Sequence, residues 1–133
     1  FKQQLRCGII FAARDSVLIG WKGFVRSGGK PDAIETMALE VGAPSMLRDP
    51  YESAVPYFGE PPALEVDPHF YRALGLPPPH ELAVVPVVLR QEVVCLLYAD
   101  AMSSMDAATV GGLAELGQGL AASFDRLVKA AER

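Results

Sequence analysis

Cysteine, clustered basic charge and long apolar runs are all scarce in this sequence. The 133 residues include two cysteines, Cys7 and Cys95. Both lie in apolar, strand-like runs without a second Cys or His beside them. A disulfide framework and a local zinc site are therefore not expected. Small buried hydrophobes in a reducing compartment are the expectation instead. Lys and Arg number 12 against 16 Asp and Glu, and the basic residues are scattered singly, so no basic stripe offers a surface for nucleic acid. The longest apolar run, Val93–Ala99, is far short of a bilayer span, and no signal-peptide pattern opens the chain. A cytoplasmic domain that meets neither nucleic acid nor membrane is the expected class.

Catalytic signatures are absent as well. No Ser/His/Asp or Cys/His arrangement has a local motif. The acids Glu35, Glu40, Glu52, Glu60, Glu65 and Asp67 are spread out, and nothing marks two of them as a working pair. No catalytic residue, metal ligand or cofactor is assigned.

What the sequence does have is apolar mass, half of all residues, with a net charge of −4. That suits one domain with one sizeable core. The first residue is Phe1 rather than Met, and both ends are charged and helix-compatible. The chain is expected to be a single domain, 1–133, cut from a longer multidomain protein.

Two hairpins frame a long connector. Leu5–Ala13 and Val17–Val25 are β-rich runs around Arg14-Asp15-Ser16. The first reads as a central strand covered on both faces. The second, with Lys22 inside it and Arg26 after it, suits an edge. Ser27 to Asp32 is a loop by composition and lacks the spacing of a phosphate-binding loop. A short third strand is expected near Met37–Val41. Ser45–Ala54 is expected as two short helical pieces: Asp49 caps, Pro50 takes the first helical position and Glu52 closes a capping box. Val55–Gly59 reads as extended, and a short helix follows around Pro68–Leu74.

Leu82–Leu89 and Glu92–Ala99 form the second hairpin, turning at Arg90-Gln91. Both strands are apolar on both faces and belong mid-sheet. Pro86 cannot donate to a ladder, so a bulge or a lapse in pairing is expected there. A helix then runs from about Asp106 to Ala131. Its apolar stripe is Val110, Leu113, Gly117, Leu120, Phe124 and Leu127. Its glycines each lower helix propensity by about 1 kcal/mol, which close approach to the sheet or to a partner helix would offset.

The first hairpin (Cys7–Val25), the middle segment APSMLRDPYESAVPYFG (Ala43–Gly59) and the strand pair VVPVVLRQEVVCLLYAD (Val84–Asp100) before a long last helix resemble a GAF domain. This is the small-molecule sensor module of bacterial signalling proteins, and the likeness covers nearly the whole chain. It implies an α+β fold: a central antiparallel sheet of five or six strands, the terminal helix on one face, and a connector with short helices on the other. A ligand pocket would lie under the connector, and the module would pair through its terminal helix. The family's cyclic-nucleotide signature, Asn-Lys followed by Phe and then Asp-Glu, is not reproduced by Phe58 and Glu60. Members that attach a tetrapyrrole or reduce free methionine sulfoxide use connector cysteines, and 26 to 81 here contains none. His69 and His80 are axial candidates for haem by residue type only.

The connector is rich in aromatic and Arg side chains. Arg48, Tyr51, Tyr57, Phe58 and Tyr71, with Trp21 reaching over from the second strand, are the candidate ligand-binding residues. The alternative is that they pin the connector onto the sheet. Arg48 is the anion-binding candidate, or else pairs with a nearby carboxylate such as Asp49. On the last helix Gly112, Leu116, Gly119, Ser123 and Val128 lie partly off the core stripe and are the candidate dimer interface. Two functions stay open, both non-catalytic: a sensory module with an unidentified small ligand, or a ligand-free module that forms a homodimer or docks onto other domains. An uncharacterised enzyme is the remote third. The lining of the space under the connector separates the first two.

Overall fold

Both hairpins form where the apolar runs place them, and each turns on two residues with left-handed backbone. These are Asp15 and Ser16 (φ 52° and 63°), then Arg90 and Gln91 (φ 53° and 70°). Positive φ at both central positions matches the twist of the flanking strands, at a cost of about 1 kcal/mol for each non-glycine residue. The computed structural model describes residues 5–25, 29–40, 46–61 and 67–131. For Pro31, Asp67, Pro68, Phe124, Asp125 and residues 127–131 only the backbone is described.

Six strands make one antiparallel sheet: β1 (Cys7–Arg14), β2 (Val17–Val25), β3 (Ala38–Glu40), β4 (Tyr57–Gly59), β5 (Glu81–Leu89) and β6 (Glu92–Ala101). Their order is β3-β2-β1-β6-β5-β4. The β1–β6 pairing, Cys7↔Asp100 through Ala12↔Cys95, joins the two hairpins. The expected mid-sheet places of β5 and β6 are found. The expected edge position of β2 is corrected, because β3 takes the outer place along Val17–Ile19. Beyond that, the Gly20 N–H donates to the Met37 carbonyl at 3.0 Å, and β2 from Trp21 onward has no outer strand among the described residues. Pro86 pairs in register with Leu96, and the irregularity falls between Val87 and Val88. Because β4 pairs only with Leu82, Ala83 and Val84, Pro86 lies where one side of β5 has no described ladder to interrupt.

Side-chain alternation builds two apolar layers. Cys7, Ile9, Phe11, Leu18, Leu82, Val84, Leu96 and Tyr98 face the connector. Ala83, Val85, Val87, Cys95, Leu97 and Ala99 face the last helix. From Cys95 to Ala101 every residue of β6 is buried.

The connector differs from expectation in two places. Pro31 opens a 3₁₀ helix, Pro31–Thr36, where loop was expected through Asp32. The two helical pieces around Pro50 are one short helix, α1 (Arg48–Ser53), flanked by Leu47, with no side-chain cap. The Asp49–Glu52 capping box does not form. Pro50 sits third in the helix, where the N–H it lacks would have no intrahelical acceptor. Helix α2 spans Asp67–Leu74. Helix α3 spans Ala107–Ala131 and is capped by Asp106, whose Oδ1 accepts from the Thr109 N–H at 2.8 Å. Leu113 and Gly117 face the sheet, and a Cβ at Gly117 would stand 3.0 Å from Val85. Val110 and Leu120 are half-buried, while Thr109 is buried in the same stripe. The side chains of Phe124 and Leu127 lie outside the described residues.

Two glycines give opposite predictions. At Gly20 an added Cβ would collide with the Ile34 carbonyl, whereas at Gly111 it would meet nothing within 4 Å. Gly20→Ala should lower stability by roughly 1–3 kcal/mol. Gly111→Ala should raise it by about 1 kcal/mol. Urea titration of both variants checks the pair of signs.

Candidate functional site

The connector-facing layer is the place to look for a pocket, and its own side chains fill it. Phe70 of α2 lies edge-on to Tyr98 of β6, with ring centroids 4.9 Å apart, and also contacts Tyr71 and Phe11 at 5.7 and 6.1 Å. Met46, Leu47, Ile34, Met37 and Leu74 are buried in the same cluster. The Tyr71 hydroxyl sits 3.6 Å from the Met46 sulfur. Among the described residues the space under the connector is protein core.

A buried polar network lies at the end of this layer. Asp100 is fully buried, and its carboxylate accepts from Arg6 Nε at 2.9 Å and Nη2 at 2.8 Å. The Tyr98 hydroxyl donates to the same carboxylate at 2.5 Å. Arg6 Nη1 also donates to the Pro77 carbonyl at 2.5 Å and lies 3.4 Å from the Met102 sulfur. One guanidinium thus ties together the lead into β1, the end of β6, the end of the connector and the start of the link to α3. Burial raises the Tyr98 phenol well above its usual range, and the Asp100 charge adds to the effect.

The thiols are buried and unactivated. Burial raises Cys7 first, and Asp100 raises it further. Burial alone pushes Cys95 up to about 11. Both are free thiols, which suits their assignment as small hydrophobes.

The six candidate ligand residues do not converge. Tyr71 is buried, and Tyr51 and Tyr57 pack half-buried against the same core. Phe58 turns to the opposite face and packs on the helix-side layer, as neighbouring residues of one strand must. Trp21 is left unpaired at the irregularity where Ile10↔Lys22 gives way to Phe11↔Gly20. It stands 46% exposed, on a strand four places from β4, or about 19 Å away at ordinary strand spacing. Arg48 lies 3.8 Å from Asp49. Tyr71 borders a hollow of about 400 Å³, shared with Arg72, Gly75, Leu76 and Pro78, and Trp21 borders a separate one of about 410 Å³ with Arg14, Ile19 and Val94; both are open to solvent. His69 and His80 are exposed, and His80 lies 3.4 Å from the Ser104 hydroxyl. Of the candidate interface, Gly112, Leu116, Gly119 and Ser123 share one flank of α3 at steps of three and four, while the Val128 side chain lies outside the described residues. Sequence reasoning missed the Arg6–Asp100–Tyr98 network. An Asp closing a fully apolar strand was the available signal.

A six-stranded antiparallel sheet with a connector layer on one face and a terminal helix on the other defines an α+β domain of a known architecture. No protein-family model and no curated protein sequence matches the chain. Solved structures do. The GAF domain of a phosphoenolpyruvate-protein phosphotransferase from Coxiella burnetii has 14% identity and a TM-score of 0.75, covering 97% of this chain and 77% of that one. A methyl-accepting chemotaxis protein, residues 122 to 287, has 15% identity and a TM-score of 0.73, covering 96% and 84%. The type II free methionine-R-sulfoxide reductase of Thermoplasma acidophilum has 10% identity and a TM-score of 0.66, covering 90% and 78%. The chain is a GAF-like domain in fold, as the sequence resemblance implied.

Two measurements probe the buried groups. Asp100→Asn leaves the Arg6 charge unpaired and should cost about 3 kcal/mol or more by chemical denaturation. Native Cys7 and Cys95 should resist a thiol reagent that modifies both after unfolding. Their pH dependence has a definite sign. A thiol whose folded pKa is raised keeps its proton after the unfolded thiol has lost it, so stability should fall as pH rises from about 8.5. For Cys95 the loss continues towards pH of about 11.

Proposed function

We propose that the chain is a non-catalytic regulatory module that acts by association rather than by holding a small ligand under its connector. The observation that carries this reading is the connector layer itself. Phe70, Tyr71 and Tyr98, with Met46 and Leu47, occupy the space where the GAF resemblance implies a ligand pocket. The fold neighbours include parts of a chemotaxis protein and a phosphotransferase, which supports a role in regulation.

The enzyme reading draws on the reductase neighbour. Thiol chemistry needs an accessible thiolate, and both cysteines here are buried with raised pKa values. No group of three or more His, Cys, Asp or Glu among the described residues is placed to hold a metal ion. A cytoplasmic setting fits the free thiols, and no described helix is long and apolar enough to cross a membrane. The module is read as part of a longer protein, whose other domains it would regulate.

Thermal-shift and calorimetric titrations with cAMP and cGMP test the ligand-free reading, together with a turnover assay on free methionine sulfoxide. No saturable change and no turnover are expected. A ligand at a hundred times its Kd adds about 2.7 kcal/mol, enough to raise Tm by roughly 10 °C. A rise of that size, or measurable reduction, overturns the reading.

A further inference from the structure

The chain leaves the sheet through a methionine that stands in water. Met102 follows Ala101, the last residue of β6, and is 57% exposed. The other three methionines are covered: Met37 and Met46 belong to the core, and Met105 is half-buried. What distinguishes Met102 from any exposed methionine is the place of its sulfur. Sδ lies 3.4 Å from Arg6 Nη1, and the Arg6 side chain, 10% exposed, is the hub of the buried network.

The acceptors around Arg6 are unequal. Nε and Nη2 donate to the Asp100 carboxylate, and Nη1 donates to the Pro77 carbonyl. These oxygens suit a guanidinium well. The Met102 thioether, which Nη1 also meets, is a weak acceptor. The contact nonetheless joins two parts of the fold. Met102 begins the link from β6 to α3. Further along that link the Met105 N–H donates to Glu81 Oε1 at 2.6 Å, and the end of the connector is fixed by the His80 N–H on the Ala101 carbonyl at 2.9 Å. The start of the link therefore meets the Arg6 hub through a sulfur that solvent reaches from its other side.

We propose that Met102 is an oxidation site, and that its sulfoxide fastens the start of the α3 link onto Arg6. The co-reactant is a peroxide. A sulfur lone pair attacks one peroxide oxygen, the O–O bond breaks and an S–O bond forms. The departing oxygen takes up a proton and leaves as water, or as an alcohol from an organic hydroperoxide. Sulfur loses two electrons and the peroxide gains them. The new oxygen carries partial negative charge, so a charge-assisted hydrogen bond from Nη1 replaces the weak sulfur contact. The flexible, unbranched side chain can turn that oxygen towards the guanidinium. The exposure that admits a peroxide also admits a methionine sulfoxide reductase, which makes the change reversible. This inference goes beyond the association reading and does not rest on it.

The test is limited treatment of the folded chain with hydrogen peroxide, followed by peptide mass spectrometry, thermal unfolding and amide hydrogen exchange. Met102 sulfoxide is expected before any other oxidised residue. Its formation should raise Tm by about 3 °C and slow exchange across 102–106 several-fold, and a methionine sulfoxide reductase should reverse both. Met102→Leu, a change at an exposed position, should fold normally and show neither response to the same treatment. Arg6→Lys keeps a positive charge beside Asp100 but lacks the fork that reaches Met102. It should be oxidised at Met102 without the rise in Tm. Oxidation that favours Met37, Met46 or Met105 overturns the site. A Met102 sulfoxide that leaves Tm unchanged or lowers it overturns the fastening role. So does a rise in Tm that persists in Met102→Leu or in Arg6→Lys.

Discussion

A sheet that is apolar on both faces must be covered twice, and the described residues include one long helix with which to do it. The constraint is sharpest at β6, where every residue from Cys95 to Ala101 is buried. The connector supplies the first cover. Among the described residues its aromatic side chains fill the layer, with Phe70 reaching Tyr98. The helix supplies the second cover, with Val85 and Val87 of β5 and Cys95, Leu97 and Ala99 of β6 buried in the layer it faces. Among the described residues the two faces are unequal: the connector side is filled by Phe70, Tyr71 and Tyr98, and the helix side carries an apolar groove of about 200 Å³.

The Arg6–Asp100–Tyr98 cluster keeps this division in place. A fully buried carboxylate is tolerable only when paired and hydrogen-bonded, and three donors on two oxygens meet that need. The same guanidinium holds the Pro77 carbonyl. The end of the connector is thereby fixed relative to the exit towards α3, and the core-filling side chains stay under the connector.

Much of the sheet was legible because period-2 alternation and continuous apolar runs report burial directly. The hairpins, the central place of β5 and β6, and the helix starting after Asp106 all followed from local pattern. The site residues were harder to place. Trp21, Tyr57 and Phe58 are aromatic and near one another in residue type, but strand order and alternation send them to separate places. The opposite facing of Tyr57 and Phe58 could have been read from their adjacency. The isolation of Trp21 could not, because it depends on a one-residue irregularity against β1 and on the long-range order of the sheet. Pro50 misled because a proline is compatible with any position in the first helical turn, not only with the first. Nothing local marks Arg6, since its partner lies 94 positions away.

The β1–β6 ladder has a consequence for how the molecule is made. Cys7 pairs with Asp100 and Ala12 with Cys95, so the two hairpins, each local and quick to form, become one sheet only when the late strand arrives. A growing chain leaving the ribosome carries Ile9 and Phe11 on a strand whose β6 neighbour is made only about 80 residues later. Closing so long a loop adds little to the equilibrium cost, since that cost grows only with the logarithm of length. It does slow the search, because non-local pairing is the slow part of folding. Shielding of the first hairpin in that interval falls to whatever meets the nascent chain.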